Sequence, residues 1–87
     1  MAYYVYITTN PAKRVLYIGV TNDLSRRLAQ HYENRGNNET FVGRYFCYNL
    51  VYTEQFTDTK ASISREKELK GWTRAKKNAL IADTNPN

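Results

Sequence analysis

The strongest constraint on the fold is a pair of short, strand-forming stretches separated by a tight turn near the start of the chain. YYVYIT (3–8) and VLYIGV (15–20) are rich in the aromatic and β-branched residues that favour strands. Between them, TNPAKR (9–14) contains Asn10 and Pro11, which are typical of turns. Because so short a connection joins antiparallel neighbours, the sequence predicts a β-hairpin.

The rest of the chain predicts helices around one further strand. Residues 21–23 (TND) offer N-cap side chains, Gly36 is a natural stop, and Asp58 or Thr59 and then Thr73 can cap two later helices. The predicted elements are a helix over 23–34, a polar loop over 35–45 with room for one helical turn, a strand over 46–56, a helix over 59–70 and a helix over 74–83. We therefore predict a single α+β domain (1–87, core 3–82) of order ββαβαα, with a three-stranded antiparallel sheet flanked by helices.

The charge of the chain favours an acidic partner. Lys and Arg number 13 against 8 Asp and Glu, which gives a formal net charge of +5 and a pI of about 9.5. Nucleic acid, an anionic membrane surface or an acidic protein would suit that excess, and a soluble basic protein without such a partner is the simpler alternative.

Other classes of protein are excluded by composition. Cys47 is the only cysteine, so neither an internal disulfide nor a cysteine-rich zinc site can form. No apolar run approaches the ~18 residues of a membrane span. The first residues lack the basic and apolar regions of a signal peptide, and we expect a cytoplasmic protein.

Polar side chains that can do chemistry fall at the edges of the predicted apolar faces. Alternation puts Tyr6 on one face of the first strand, and Tyr17 and Gly19 together on one face of the second. In the first helix, at ~100° per residue, Arg27 and His31 form an i, i+4 pair beside an apolar leucine stripe, while Arg26 points to the opposite side.

The second helix carries a carboxylate on its apolar side. Ile63, Glu66 and Leu69 recur at i, i+3 and i+6, which predicts that Glu66 lies within the apolar stripe. A carboxylate there is unfavourable unless it is paired, hydrated or bound to a metal ion. Glu66 could simply pair with Lys70, and Arg27 with Asp23.

Together these side chains suit the hydrolysis of a phosphodiester bond. A carboxylate can hold Mg²⁺ or Mn²⁺, arginine matches phosphate oxygens, tyrosine hydroxyls can position water, and histidine can relay a proton. The candidate site consists of Tyr6, Tyr17, Arg27, His31 and Glu66.

The ordered set YVY (4–6), YIG (17–19), Arg27, His31 and Glu66 resembles the GIY-YIG nuclease superfamily. The run from YVYI to KKNALI is most similar to small, stand-alone bacterial members with an excinuclease-C-like (UPF0213-type) domain. The resemblance covers about residues 3–82. Its first motif departs from the pattern, because it reads YVY and lacks the glycine.

The resemblance implies a metal-dependent DNA endonuclease with one divalent ion, Mg²⁺ or Mn²⁺, acting in repair or processing. It implies that one motif tyrosine, Tyr6 or Tyr17, is the general base and that His31 supports a motif tyrosine. Arg27 would bind phosphate, Gly19 would permit close backbone approach, and Glu66 would be the metal ligand. Asn78 and Asn85 are the candidate counterparts of a supporting asparagine found in many family nucleases.

A basic C-terminal third could extend the contact with nucleic acid. The candidates for a phosphate track are Arg44, Lys67, Lys70, Arg74, Lys76 and Lys77, and a solvated helix face is the alternative. Two other functions stay open from the sequence. One is a non-catalytic nucleic-acid-binding module that keeps the fold, and the other is an adaptor that binds proteins through exposed tyrosines.

Overall fold

The fold is built on a three-stranded antiparallel sheet whose central strand is the first one in the chain. A computed structural model describes residues 2–84. The strands are β1 (Tyr3–Thr9), β2 (Leu16–Thr21) and β3 (Asn49–Phe56), arranged in the order β2-β1-β3. Both pairings with β1 are antiparallel, so the predicted hairpin and sheet are confirmed.

Four helices flank this sheet. They are α1 (Leu24–Glu33), the single turn α2 (Phe41–Arg44), α3 (Thr59–Lys70) and α4 (Arg74–Thr84). The α+β prediction is therefore confirmed, and the loop over 35–45 contains the helical turn for which it had room. Between residues 2 and 84, no helix combines the length and the apolar character that a bilayer crossing requires.

The helix boundaries follow from local capping chemistry. The Asp23 carboxylate accepts a hydrogen bond of 3.1 Å from the Arg26 backbone N–H, which satisfies one free donor at the start of α1. Asp58 plays the same part for α3. The Thr73 hydroxyl accepts from the Lys76 N–H at 3.2 Å, as the sequence predicted for the last helix.

One face of the sheet forms the apolar core. Because side chains alternate, the buried Val5 and Ile7 point to the same face of β1, where they pack with Ile18, Tyr52 and Leu69. Leu69 belongs to α3, so this helix covers the core face. The opposite face of β1 carries Tyr6, and this separation leaves Tyr6 free to take part in a polar site.

The prediction that the third strand begins at residue 46 is wrong, because the strand begins at Asn49. Phe46 has a φ of +58°, a left-handed conformation that interrupts an extended chain. The next N–H, that of Cys47, bonds to the Val42 carbonyl at 2.8 Å and not to a neighbouring strand. Residues 45–48 therefore form the turn that connects α2 to β3. The apolar residues 46–48 belong to this turn and not to the strand.

The apolar stripe predicted for α3 is also displaced. Ile63 is 38 % exposed, whereas Ser62 and Leu69 are fully buried, so the prediction that Ile63 lies on the buried side is wrong. The inward face runs through Ser62, Glu66 and Leu69, at i, i+4 and i+7. A small hydroxyl side chain packs where the sequence suggested an isoleucine, and Glu66 stays on the inward side.

Candidate active site

The centre of the site is a hydrogen bond between a strand tyrosine and a helix histidine. Tyr6 lies in the middle of β1 and is 1 % exposed, and His31 is 4 % exposed in the last turn of α1. The Tyr6 hydroxyl is 3.3 Å from His31 Nε2. α1 therefore packs on the face of the sheet that carries Tyr6, opposite the apolar core.

Tyr17 completes a cluster of three rings. Its ring centroid lies 6.2 Å from that of Tyr6 and 5.5 Å from that of His31, and the Tyr17–His31 contact is edge to face. Tyr17 belongs to β2, an edge strand, and is only half-buried. Of the two motif tyrosines, Tyr17 is thus the one whose hydroxyl solvent can approach.

Gly19 makes room for the Tyr6 side chain. The two residues are direct partners across β1 and β2. A Cβ atom at position 19 would lie 2.5 Å from the Tyr6 hydroxyl oxygen and 2.7 Å from its ring carbon Cζ. The group that closely approaches this glycine is therefore the hydroxyl end of Tyr6. Any larger residue at position 19 would collide with it.

The Tyr6–His31 pair is electrically neutral at neutral pH. Burial raises the pKa of Tyr6 well above its usual value of 10.0, and the neighbouring Tyr17 adds to that increase. Burial also lowers the pKa of His31 below 6.5, and this effect is opposed by the Cys47 backbone. In the hydrogen bond between Tyr6 and Nε2, a neutral imidazole accepts from the hydroxyl in one tautomer and donates to it in the other. Within residues 2–84, His31 Nδ1 makes no hydrogen bond of ordinary geometry, so the Cys47 backbone acts on the ring without completing one.

Arg27 and Glu66 act on the Tyr6 hydroxyl from two separate helices. The charge of Arg27 lowers the pKa of Tyr6, and that of Glu66 raises it. Arg27 is exposed, and no carboxylate in the described part of the chain forms an ion pair with it. Asp23, which the sequence offered as its partner, instead caps α1. The Arg27 guanidinium is therefore available for an anion.

Glu66 is an acidic side chain whose charge acts on Tyr6. Its side chain is 17 % exposed, and its Oε2 pairs with Lys70 Nζ at 3.1 Å. No cluster of three or more His, Cys, Asp or Glu side chains is placed to share a metal ion among residues 2–84. A single carboxylate does fit an ion such as Mg²⁺, which usually keeps several waters and takes only one or two protein carboxylates.

An open pocket connects the rings to Arg27. It has a volume of about 270 Å³ and lies between α1 and the start of α2. Its lining is formed by Tyr17, Arg27, Gln30, His31, Asn34, Thr40, Phe41 and Val42. The structure thus brings Tyr6, Tyr17 and His31 into direct contact, with Arg27 beside them and Glu66 within electrostatic reach.

The basic residues predicted to bind nucleic acid occupy different surroundings. Lys70 and Lys77 line a groove beside Tyr17, whereas Arg44 and Lys67 are exposed on α2 and α3. The remaining two, Arg74 and Lys76, already have partners within the protein.

The Arg74 guanidinium donates to the backbone carbonyls of Lys13 (3.0 Å) and Arg14 (2.7 Å), and so ties α4 to the hairpin turn. Lys76 Nζ lies 4.3 Å from the centroid of the Trp72 ring. Asn78 accepts a hydrogen bond from Arg74, and Asn85 lies outside the described residues.

Sequence reasoning missed a second polar cluster. Arg65 donates from Nε to both oxygens of Glu54, with the Oε2 distance at 3.0 Å, and its NH1 bonds to Glu68 at 3.0 Å. Glu54 in turn accepts from the Tyr52 hydroxyl, and burial together with this bond raises the pKa of Tyr52 to about 12. The cluster joins β3 to α3 next to Glu66. The sequence gives little indication of this cluster, because it joins a strand and a helix whose contact depends on the tertiary fold.

Comparison with known proteins agrees with this geometry. The family described as the GIY-YIG catalytic domain matches residues 2–78. The chain belongs to the GIY-YIG family. A UPF0213 protein of Natronomonas pharaonis is 37% identical over 81 residues, which is 93% of this chain and 92% of the relative. Another from Haloquadratum walsbyi is also 37% identical over 81 residues, covering 93% and 88%.

A solved structure shares the fold of this GIY-YIG chain. The solution NMR structure of a UPF0213 protein from Bacillus halodurans matches with a TM-score of 0.58 and 33% sequence identity. The match covers 94% of this chain and 84% of the solved one. The resemblance inferred from the ordered motifs is therefore confirmed, and membership of this family indicates a nuclease-type domain that acts on nucleic acid.

Proposed function

We propose that the protein is a metal-dependent endonuclease that hydrolyses a phosphodiester bond of DNA with one divalent ion, in DNA repair or processing. The observation that carries this proposal is the convergence of Tyr6, Tyr17 and His31 beside a pocket that Arg27 also lines, with the charges of Arg27 and Glu66 acting on Tyr6. A purely structural aromatic cluster would not need both a cation and an anion close enough to act on one hydroxyl.

Arg27 would hold the scissile phosphate. Its guanidinium is exposed, unpaired among residues 2–84 and at the wall of the pocket that reaches Tyr17. A planar guanidinium binds two phosphate oxygens at once, and it stabilises the negative charge that grows on them as water attacks.

Tyr17 would position the attacking water, and it would receive the proton of that water as a phenolate, after its own hydroxyl proton has passed to solvent. Its hydroxyl is the more accessible of the two motif phenols, because Tyr6 is 1 % exposed. Tyr6 shares a hydrogen bond with His31 and its ring lies 6.2 Å from that of Tyr17, so it would act as a positioning residue for Tyr17. Tyr17 and His31 both line the open pocket, and the buried Tyr6 lies behind them.

Glu66 would hold the divalent ion, Mg²⁺ or Mn²⁺. When bound, such an ion polarises phosphate oxygens and stabilises the leaving alkoxide. The Glu66 side chain is only 17% exposed, and its carboxylate holds one cation already, the ammonium group of Lys70 at 3.1 Å.

Nicking of supercoiled plasmid tests this proposal. Purified wild-type protein should convert supercoiled DNA to the nicked form in Mg²⁺ or in Mn²⁺, and EDTA should stop the reaction. Glu66→Gln keeps the shape of the side chain but removes the charge, so nicking should fall at least about a hundredfold. Glu68→Gln is the matched control, because Glu68 lies on the same helix and is 55% exposed.

Equal nicking by the three proteins would indicate a contaminant and contradict the proposal. If none of them cuts DNA but the wild type binds it, the alternative of a non-catalytic nucleic-acid-binding module replaces it. The net charge of +5 favours nucleic-acid binding in either case.

A further inference from the structure

Lys70 stands between the candidate metal-binding carboxylate and a positively charged groove. Its Nζ is 3.1 Å from Glu66 Oε2, one helical turn earlier on α3. The same residue lines a groove of about 350 Å³ at the edge of β2, together with Lys77, Tyr17 and Phe41. The Lys70 side chain is 54% exposed and that of Glu66 17%, so the ammonium group can change position while the carboxylate stays in place.

The ion pair between Lys70 and Glu66 is easily exchanged. An i, i+4 pair on a helix surface shifts an equilibrium by only about twofold, because water solvates both partners nearly as well. A divalent cation on Glu66 would carry twice the charge of the ammonium and would repel it. The structure thus holds a weak internal cation at the position where the metal ion is expected.

The groove offers Lys70 a second partner. Its lining is formed by Leu16, Tyr17, Ile18, Phe41, Lys70 and Lys77, and contains no acidic side chain. Two ammonium groups beside an accessible tyrosine suit a backbone phosphate of nucleic acid, because lysine binds phosphate as a point charge. A strand lying there would also pass the Tyr17 hydroxyl.

We propose that Lys70 is a metal-controlled phosphate contact, which neutralises Glu66 when no divalent ion is bound and turns into the groove to bind nucleic acid when one is. This inference rests on the proposed function and names its regulation, because it assumes that Glu66 receives the ion. It predicts that binding of metal and binding of nucleic acid strengthen each other by the same factor. It also predicts one additional phosphate contact in the metal-bound protein.

The first experiment measures nucleic-acid affinity without cleavage. The anisotropy of a fluorescein-labelled oligonucleotide gives the Kd in EDTA and in saturating Ca²⁺, for the wild type, Glu66→Gln, Lys70→Met and the double variant. Ca²⁺ should tighten binding by the wild type about three- to tenfold. The slope of log K against log salt should steepen by about 0.7 to 0.9, the value for one phosphate.

Glu66→Gln provides the sharpest outcome, because it releases Lys70 without any metal. In EDTA this variant should bind the oligonucleotide about two- to fivefold more tightly than the wild type, and Ca²⁺ should add little. Most of the gain should vanish when Lys70→Met is present as well. Glu68→Gln removes the same charge from the same helix, and it should give a smaller gain that Lys70→Met leaves unchanged.

The second experiment measures the metal alone. Titration of Mn²⁺ by electron paramagnetic resonance should show at least about twofold tighter binding by Lys70→Met than by the wild type, because a competing cation has gone. Lys67→Met removes an exposed charge beside Glu66 and should change Mn²⁺ affinity less.

Several results would overturn the proposal. They are an undiminished Glu66→Gln gain in the Lys70→Met background, an equal gain for Glu68→Gln, or no binding of the oligonucleotide by the wild type. Metal-dependent nicking that requires Glu66 without this coupling would overturn the Lys70 inference and leave the proposed function intact. Coupling between metal binding and nucleic-acid binding without any nicking would contradict the proposed function and leave the Lys70 inference intact.

Discussion

Gly19→Ala tests whether the site depends on the space above this glycine. The added Cβ would lie 2.5 Å from the Tyr6 hydroxyl oxygen, 2.7 Å from Cζ and 3.0 Å from Cε1. All these atoms belong to one ring, and Tyr6 is 1 % exposed, so the ring has no solvent-filled space into which it can turn. The ring must therefore shift against His31 or the β1–β2 pairing must open.

The expected loss of stability follows from two effects. Overpacking a buried site by one methyl group destabilises by about 1–3 kcal/mol. Moving the hydroxyl also weakens its 3.3 Å hydrogen bond to His31, which adds about 1 kcal/mol. The total of about 2–4 kcal/mol is a large share of the ~5–15 kcal/mol by which domains are stable. Any nicking activity should be lost at temperatures where the variant is still folded.

Urea unfolding, followed by the fluorescence of the single tryptophan Trp72 and by circular dichroism, measures this change. Gly71→Ala is the matched control. Gly71 has a φ of −82°, which alanine adopts readily, and the nearest atom to its added Cβ is 3.5 Å away. That variant should be stabilised by about 0.4–1 kcal/mol. A free energy of unfolding for Gly19→Ala within ~0.5 kcal/mol of the wild type would refute the packing described for Tyr6.

Three further outcomes follow from the site and its surroundings. Tyr6→Phe should destabilise by about 1–2 kcal/mol, because it leaves His31 Nε2 buried without a partner, and Tyr4→Phe should be milder; equal urea midpoints would contradict this. The free energy of unfolding should fall as the pH drops below about 6.5, because burial lowers the pKa of His31 and the unfolded chain therefore binds the proton more readily. Since His31 is the only histidine, His31→Gln should remove this part of the pH dependence, and an unchanged profile would argue against a buried neutral imidazole. Arg65→Lys keeps the charge but cannot contact both Glu54 oxygens as a fork, so thermal unfolding should show a loss of about 1–2 kcal/mol, and no change would mean that the cluster is not stabilising.

Local patterns were sufficient to predict the sheet and most helix limits. The hairpin needed only two β-rich stretches and the Asn10–Pro11 turn, and the start of α1 needed only Asp23. Periodicity also placed His31 on the inner side of α1. These features depend on residues a few positions apart, so no knowledge of the tertiary fold was required.

The remaining features depend on contacts between distant segments. Phe46 has the composition of a strand residue, yet the turn that connects α2 to β3 holds it at a positive φ. Ser62 is buried and Ile63 exposed because of the angle at which α3 meets the sheet, which helical periodicity does not specify. Arg65 and Glu54 lie eleven positions apart on different elements, so their pairing could not be read from either helix or strand alone.

The contribution of Arg27 to the rate of DNA cleavage is the most direct test of the proposed activity. Nicking of supercoiled plasmid should be timed with excess protein in Mg²⁺ for the wild type, Arg27→Ala and Arg26→Ala, two exposed arginines on the same helix. Loss of a phosphate contact that strengthens as charge develops should slow Arg27→Ala about 10²- to 10³-fold, whereas Arg26→Ala should stay within about threefold of the wild type. Equal rates for the two variants would contradict the assignment of phosphate binding to Arg27, and a wild type that leaves the plasmid supercoiled would contradict the proposed nuclease activity itself.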